Sequence, residues 1–181
     1  MFGNEQFIAL HGMFLSVTSG TGDSLFWSLR ARDVSGSVLP DDPIRASLAT
    51  EIPLVPETEF RSEVHLLNVP FAPTVEKRLR IYALGTAPVR VLVKAYTIGW
   101  SAGSEVRSAA LQLSAGQEED GFPSYPGFAD LDLGPLVNGL TESWGPRIGI
   151  TVEAEDDARI WALVLAATPE ESTLAVVTPR R

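Results

Sequence analysis

The sequence predicts an all-β fold, a two-sheet antiparallel β-sandwich with at most one short helix. Three observations support this. Apolar and polar residues alternate with period two in short blocks, Gly, Pro, Asp and Ser fall between the blocks at roughly ten-residue intervals, and helical periodicity is nearly absent. At 181 residues, 45% of them hydrophobic and 20% charged, the chain has the apolar material for one core and is expected to form a single domain over 1–181.

The first block, FIALHGMFLSV (7–17), is apolar on both faces, with Phe7, Ala9, Met13 and Leu15 on one and Ile8, Leu10 and Phe14 on the other. Such a strand is central or covered. At a chain terminus it is also a candidate for strand addition to a second subunit, through Phe7, Ile8, Leu10 and Phe14. GTGDS (20–24) reads as a hairpin turn, because a phosphate cradle needs a helix after its glycines and a strand follows instead.

Further strand blocks are LFWSLRARDV (25–34), the weaker IRASLAT (44–50) and EFRSEVHLLNV (59–69). Between the last two, EIPLVPETEF (51–60) reads as a crossover, since Pro53 and Pro56 cannot donate to a ladder. In RLRIYAL (78–84), Leu79, Ile81 and Ala83 oppose Arg78, Arg80 and Tyr82; in VRVLVKAY (89–96), Val89, Val91, Val93 and Ala95 oppose Arg90, Lys94 and Tyr96. GTAP (85–88) is expected to join these two as a hairpin.

EVRSAALQLS (105–114) is another strand, and RIGITVE (147–153), RIWALVLAA (159–167) and STLAVVT (172–178) read as a closing meander on tight connections. LGPLVNGL (133–140) is the one helical candidate, with Pro135 suited to a first turn and Gly139 to a C-cap. The total is about nine strands, in a jelly-roll or immunoglobulin-like arrangement.

Charge and composition exclude several functions. The net charge is −9, divided as −1 over residues 1–100 and −8 over 101–181, with no cluster of Lys and Arg. Nucleic acid and anionic membrane surfaces are therefore poor partners. The longest apolar run, IWALVLAA (160–167), falls far short of the roughly 20 residues that span a bilayer, so membrane insertion is not expected. With no cysteine there is no disulfide, thiolate zinc site or cysteine nucleophile. MFGNEQFIAL lacks the basic and small-residue signals of a leader peptide, which suits an intracellular chain or a mature, trimmed one.

Catalytic signals are thin. Two histidines, His11 and His65, have no metal-ligand neighbour at a useful spacing, and no GxSxG is present. His65 reads as an exposed strand residue beside Glu63. No enzyme is expected; a carboxylate hydrolase is the remaining enzymatic alternative, because two carboxylates flanking a cleft would suffice. The acidic loops, Glu118, Glu119 and Asp120 with Asp130 and Asp132, and Glu153 to Asp157, place hard oxygen ligands where calcium sites need them, so calcium is the one cofactor considered, with Asp130 and Asp132 as ligands.

In GFPSYPGFADLDLG (121–134), Phe122, Tyr125 and Phe128 recur at a spacing of three among prolines and glycines that suit a loop. Phe122 and Phe128 read as apolar plugs over an open end of the sandwich. Tyr125, with Trp100 in GWSAG and Trp144 in ESWGP, reads equally as plug or as a platform for stacking sugars.

RIWALVLAATPEESTLAVVTPR resembles the final hairpin of β-sandwich, immunoglobulin-like modules of bacterial secreted and cell-surface proteins, and RLRIYALGTAPVRVLVKAYT and YPGFADLDL resemble their middle strands and intervening loop. The resemblance covers about residues 60–180, with TPEES where those modules carry an Asn-rich turn. It implies a non-catalytic structural or adhesive module, extracellular or on the cell surface. The expected partner is a second copy, as oligomer or filament. The alternative is a glycan, bound by Trp100, Tyr125 and Trp144.

Overall fold

The alternating blocks form strands, and every strand pair is antiparallel. The computed structural model describes residues 29–31, 50–52, 54–70, 75–98, 106–119, 122–137, 147–167 and 174–179. The expected strand at 7–17, with Phe7, Ile8, Leu10 and Phe14, lies outside the described residues, as do His11, Trp100 and Trp144.

Twelve strands are described: β1 (Leu29–Ala31), β2 (Thr50–Ile52), β3 (Glu63–Pro70), β4 (Glu76–Ala83), β5 (Arg90–Thr97), β6 (Val106–Gln112), β7 (Gln117–Glu119), β8 (Phe122–Tyr125), β9 (Gly127–Asp132), β10 (Arg147–Ala154), β11 (Ile160–Ala167) and β12 (Leu174–Val177). Two sheets of four, ordered β3-β10-β5-β6 and β12-β11-β4-β9, make the body, and β1-β2 and β7-β8 are two-stranded ribbons. The described strands that fall outside the expected blocks are β7, β8 and β9, all within 117–132, where Pro and Gly interrupt the alternation.

Period two decides what is buried. Leu79, Ile81 and Ala83 of β4, Val91, Val93 and Ala95 of β5, Ile148, Ile150 and Val152 of β10, and Ile160, Ala162 and Val164 of β11 belong to one continuous core to which both sheets contribute. Each valine, leucine or isoleucine among them contributes about 1.5–3 kcal/mol by leaving water, and each alanine less. The arrangement is all-β and sandwich-like. Residues 61–63 lace its two sheets together at a corner: Arg61 and Ile160 exchange backbone bonds of 2.9 and 2.7 Å, while Ser62 O accepts from Ala154 N at 2.8 Å.

Three expectations change. GTAP does not close a hairpin, because β4 pairs with β11 and β9 whereas β5 pairs with β10 and β6. The connection is an arch between sheets, turned at Gly85, whose φ of 96° is open to glycine and strained for other residues. Alternation permits both outcomes: an arch puts Leu79 and Ile81 in one sheet and Val91 and Val93 in the other, and a hairpin would set them side by side in one sheet. The closing meander is likewise only half a meander. β11 and β12 form a hairpin, but Glu155–Asp157 carries the chain from β10 to the other sheet, with Asp156 and Asp157 both left-handed at φ 57° and 55°.

The stretch 121–134, expected as a loop, is largely strand: β8, a break at Pro126, then β9. Its prolines sit where an edge ribbon and a strand start tolerate a missing donor. Of the expected helix at 133–140, the described residues show the turn α1 (Gly134–Val137), with Leu136 and Val137 in the core, and 138–140 lie outside them. One cation is drawn inward beside it. Lys77, on the buried side of β4, donates to Val75 O at 2.6 Å; burial lowers its pKa, and the nearby Asp132 carboxylate partly restores it.

Candidate functional site

The outward positions of the two sheets differ in character. On the β12-β11-β4-β9 sheet the register sets Trp161, Tyr82 and Phe128 side by side across three strands, and Leu163, Arg80 and Asp130 in the next row. The Tyr82 and Trp161 rings stack with centroids 6.2 Å apart. Arg80 donates from Nε and Nη2 to the two Asp130 oxygens at 2.7 and 2.8 Å, a bidentate grip that also holds its guanidinium above the ordinary pKa. Trp161 and Leu163 are only 5% and 4% exposed although they point away from the shared core. This row is thus a second apolar layer, and the Tyr82 hydroxyl beside it has its pKa raised, mainly by burial, with Asp130 adding and Arg80 opposing.

The outer side of the β3-β10-β5-β6 sheet is wetter. His65 lies opposite Thr151, which lies opposite Lys94, which lies opposite Ser108. His65 Nδ1 bonds Thr151 Oγ1 at 3.2 Å, and Nε2 lies 3.3 Å from Glu63 Oε1. Lys94 Nζ donates to Glu153 Oε1. One register step along, Tyr96 faces Gly149, and a methyl at Gly149 would come within 2.6 Å of the Tyr96 hydroxyl oxygen, so the ring lies across the β10 backbone.

A hydroxyl, an imidazole and a carboxylate in series suggest nucleophilic chemistry, but the strand context opposes it. Thr151 is 7% exposed, and it sits in mid-ladder where the β10 backbone donors bond to β3 and β5, leaving none for an oxyanion. The imidazole here positions the threonine hydroxyl. His65 is exposed and beside Glu63, as its strand position in the sequence implies.

The expected site residues are dispersed. Tyr125, at the end of β8, is 40% exposed. Phe128 is half-buried in the Trp161–Tyr82 row, consistent with a packing role. Asp130 and Asp132 share one side of β9; Asp130 holds Arg80, and Asp132 Oδ1 accepts from Gly134 N at 2.9 Å. Among the described residues no group of three His, Asp or Glu side chains converges as a metal site, and no helix is long and apolar enough to cross a membrane. An open depression of about 370 Å³ lies at the arch end, lined by Pro88, Arg90, Gln112, Glu155 and Asp156.

No family model, curated protein or solved structure matches the chain.

Tyr96 over Gly149 and the His65–Thr151 bond are absent from the sequence reading. The alternation in VRVLVKAY does place Arg90, Lys94 and Tyr96 on one side; which strand lies beside them depends on pairings across the whole chain.

Proposed function

We propose that this chain is a non-catalytic structural or adhesive β-sandwich module that associates with copies of itself by strand addition at β6. The observation that carries this is a contrast among the four outer strands. β3 is guarded by a bulge at Leu67–Asn68, with Asn68 left-handed, and by Pro70. On β9, Ser114 covers Phe128, donating its N–H to Phe128 O at 3.0 Å and accepting Phe128 N on its hydroxyl at 3.1 Å. β12 has four residues and β2 packs beside it.

β6 has seven residues in unbroken register with β5, carries exposed Val106, Ser108 and Ala110, and meets no other described strand. Leu113 N donates to Val89 O at 2.8 Å, so by alternation the N–H groups of residues 108, 110 and 112 point away from β5. A second copy would pair there by main-chain bonds. An extracellular or cell-surface setting is part of the proposal, on the resemblance of the middle and closing strands to such modules.

Sedimentation velocity across a concentration series tests it. The parent chain should show larger species that Ala110→Pro abolishes, because proline there removes an outward donor and leaves the β5 ladder intact. A chain that stays monomeric at all concentrations refutes self-association. Loss of assembly on deleting residues 1–17, with none in Ala110→Pro, would move the contact to the N-terminal strand.

A further inference from the structure

We infer that the outer side of the β3-β10-β5-β6 sheet is a binding site for a neutral, hydroxyl-rich saccharide, centred on Tyr96. The first ground is the ring's placement. Gly149 leaves room for the Tyr96 ring to lie against the β10 backbone, and any side chain there would lift it. A ring held with one side on the backbone offers its other side to whatever approaches the sheet, and flat apolar ring faces stack on the C–H faces of sugars. The side chain is half-buried, so part of it remains open.

The second ground is what surrounds the ring. Val106, paired with Tyr96 on β6, is 58% exposed and extends the apolar patch. Two residues along each strand, about 7 Å away, stand Lys94 and Thr151, with His65 beyond. Lys94 and His65 supply an ammonium and an imidazole within reach of a sugar whose ring stacks on Tyr96, with Thr151 buried between them. Lys94 is matched by Glu153 and His65 stands beside Glu63, so the face has little cationic field for phosphate or sulfate and suits an uncharged polyol. All these groups are on paired strands, which hold them in fixed positions.

This inference is independent of edge pairing at β6. The experiment is titration of the full chain with cellohexaose, xylohexaose and mannohexaose, read by aromatic NMR shifts of Tyr96 and by calorimetry. The expected result is saturable movement of the Tyr96 ring resonances with at least one of them. Binding should weaken about tenfold or more in Tyr96→Ala and persist in Tyr96→Phe, as loss of a stacking face predicts. Tyr96→Leu, which keeps apolar cover over Gly149 without a flat ring, should fold and bind as poorly as Tyr96→Ala. No binding by any of the three sugars overturns the inference, as does binding unchanged in Tyr96→Leu. Movement of the Tyr96 resonances on concentrating an Ala110→Pro chain without sugar, in which β6 pairing is blocked, would assign the face to a second copy and overturn it equally.

Discussion

Arg80 and Asp130 face each other across the β4–β9 ladder, and the guanidinium holds both carboxylate oxygens at 2.7 and 2.8 Å with each side chain about a fifth exposed. Planarity, two parallel bonds and partial burial set this pair apart from an ordinary surface ion pair. In a double-mutant cycle, Arg80→Ala and Asp130→Ala should each destabilise the fold, with a coupling of about 1–2 kcal/mol, because each single change strands a half-buried charge. Urea denaturation measures this. Additive effects would show that the pair contributes no coupling.

Lys77 yields a pH-dependent prediction. Burial lowers its pKa from 10.5, so between the lowered value and 10.5 the unfolded chain binds the proton more tightly than the folded one. Raising pH through that window therefore favours the folded state. Lys77→Met should be more stable than the parent at pH 7, and its advantage should shrink as pH approaches 10.5. A lower Tm for the variant at pH 7 would refute this.

Tyr82 acts in the opposite direction. Its pKa is raised above 10.0, so the folded chain keeps the phenolic proton where the unfolded chain releases it. That stability is complete below pH 10 and is lost as pH rises through the raised value. Tyr82→Phe should flatten the alkaline limb of a Tm-versus-pH curve while leaving the limb below pH 9 parallel to the parent's. An unchanged alkaline limb would place the loss on another group.

The turn at Asp156 and Asp157 holds two consecutive residues with φ near +57° and +55°. Aspartate tolerates this region better than residues branched at Cβ. Asp157→Asn should be close to neutral, whereas Asp157→Val should cost about 1–2 kcal/mol. The urea midpoint at constant slope reads both.

Much of the fold is legible in the sequence, and the reason is period two: the inward sets of β4, β5 and β11 can be counted from RLRIYAL, VRVLVKAY and RIWALVLAA without coordinates. Topology is a different matter. GTAP and EAEDDA look like hairpin turns because arches between sheets use the same residue types, and only distant pairing distinguishes them. The aromatic stretch 121–134 reads as loop because Pro123 and Pro126 weigh against strand, although an edge ribbon admits them. Of the candidate sites, Tyr125 is described and exposed, while the Tyr96 platform depends on Gly149, a residue 53 positions away that alternation alone does not bring beside it.

The arches at Gly85 and at Asp156 have a consequence for how the protein comes into being. His65 waits for Thr151, 86 residues downstream, before its strand has a neighbour, and β4 waits equally for β9 and β11. β5 and β6 can pair once residue 112 has emerged, but β3 has no ladder partner before β10 and β4 none before β9, so neither sheet is complete until the last third of the chain is made.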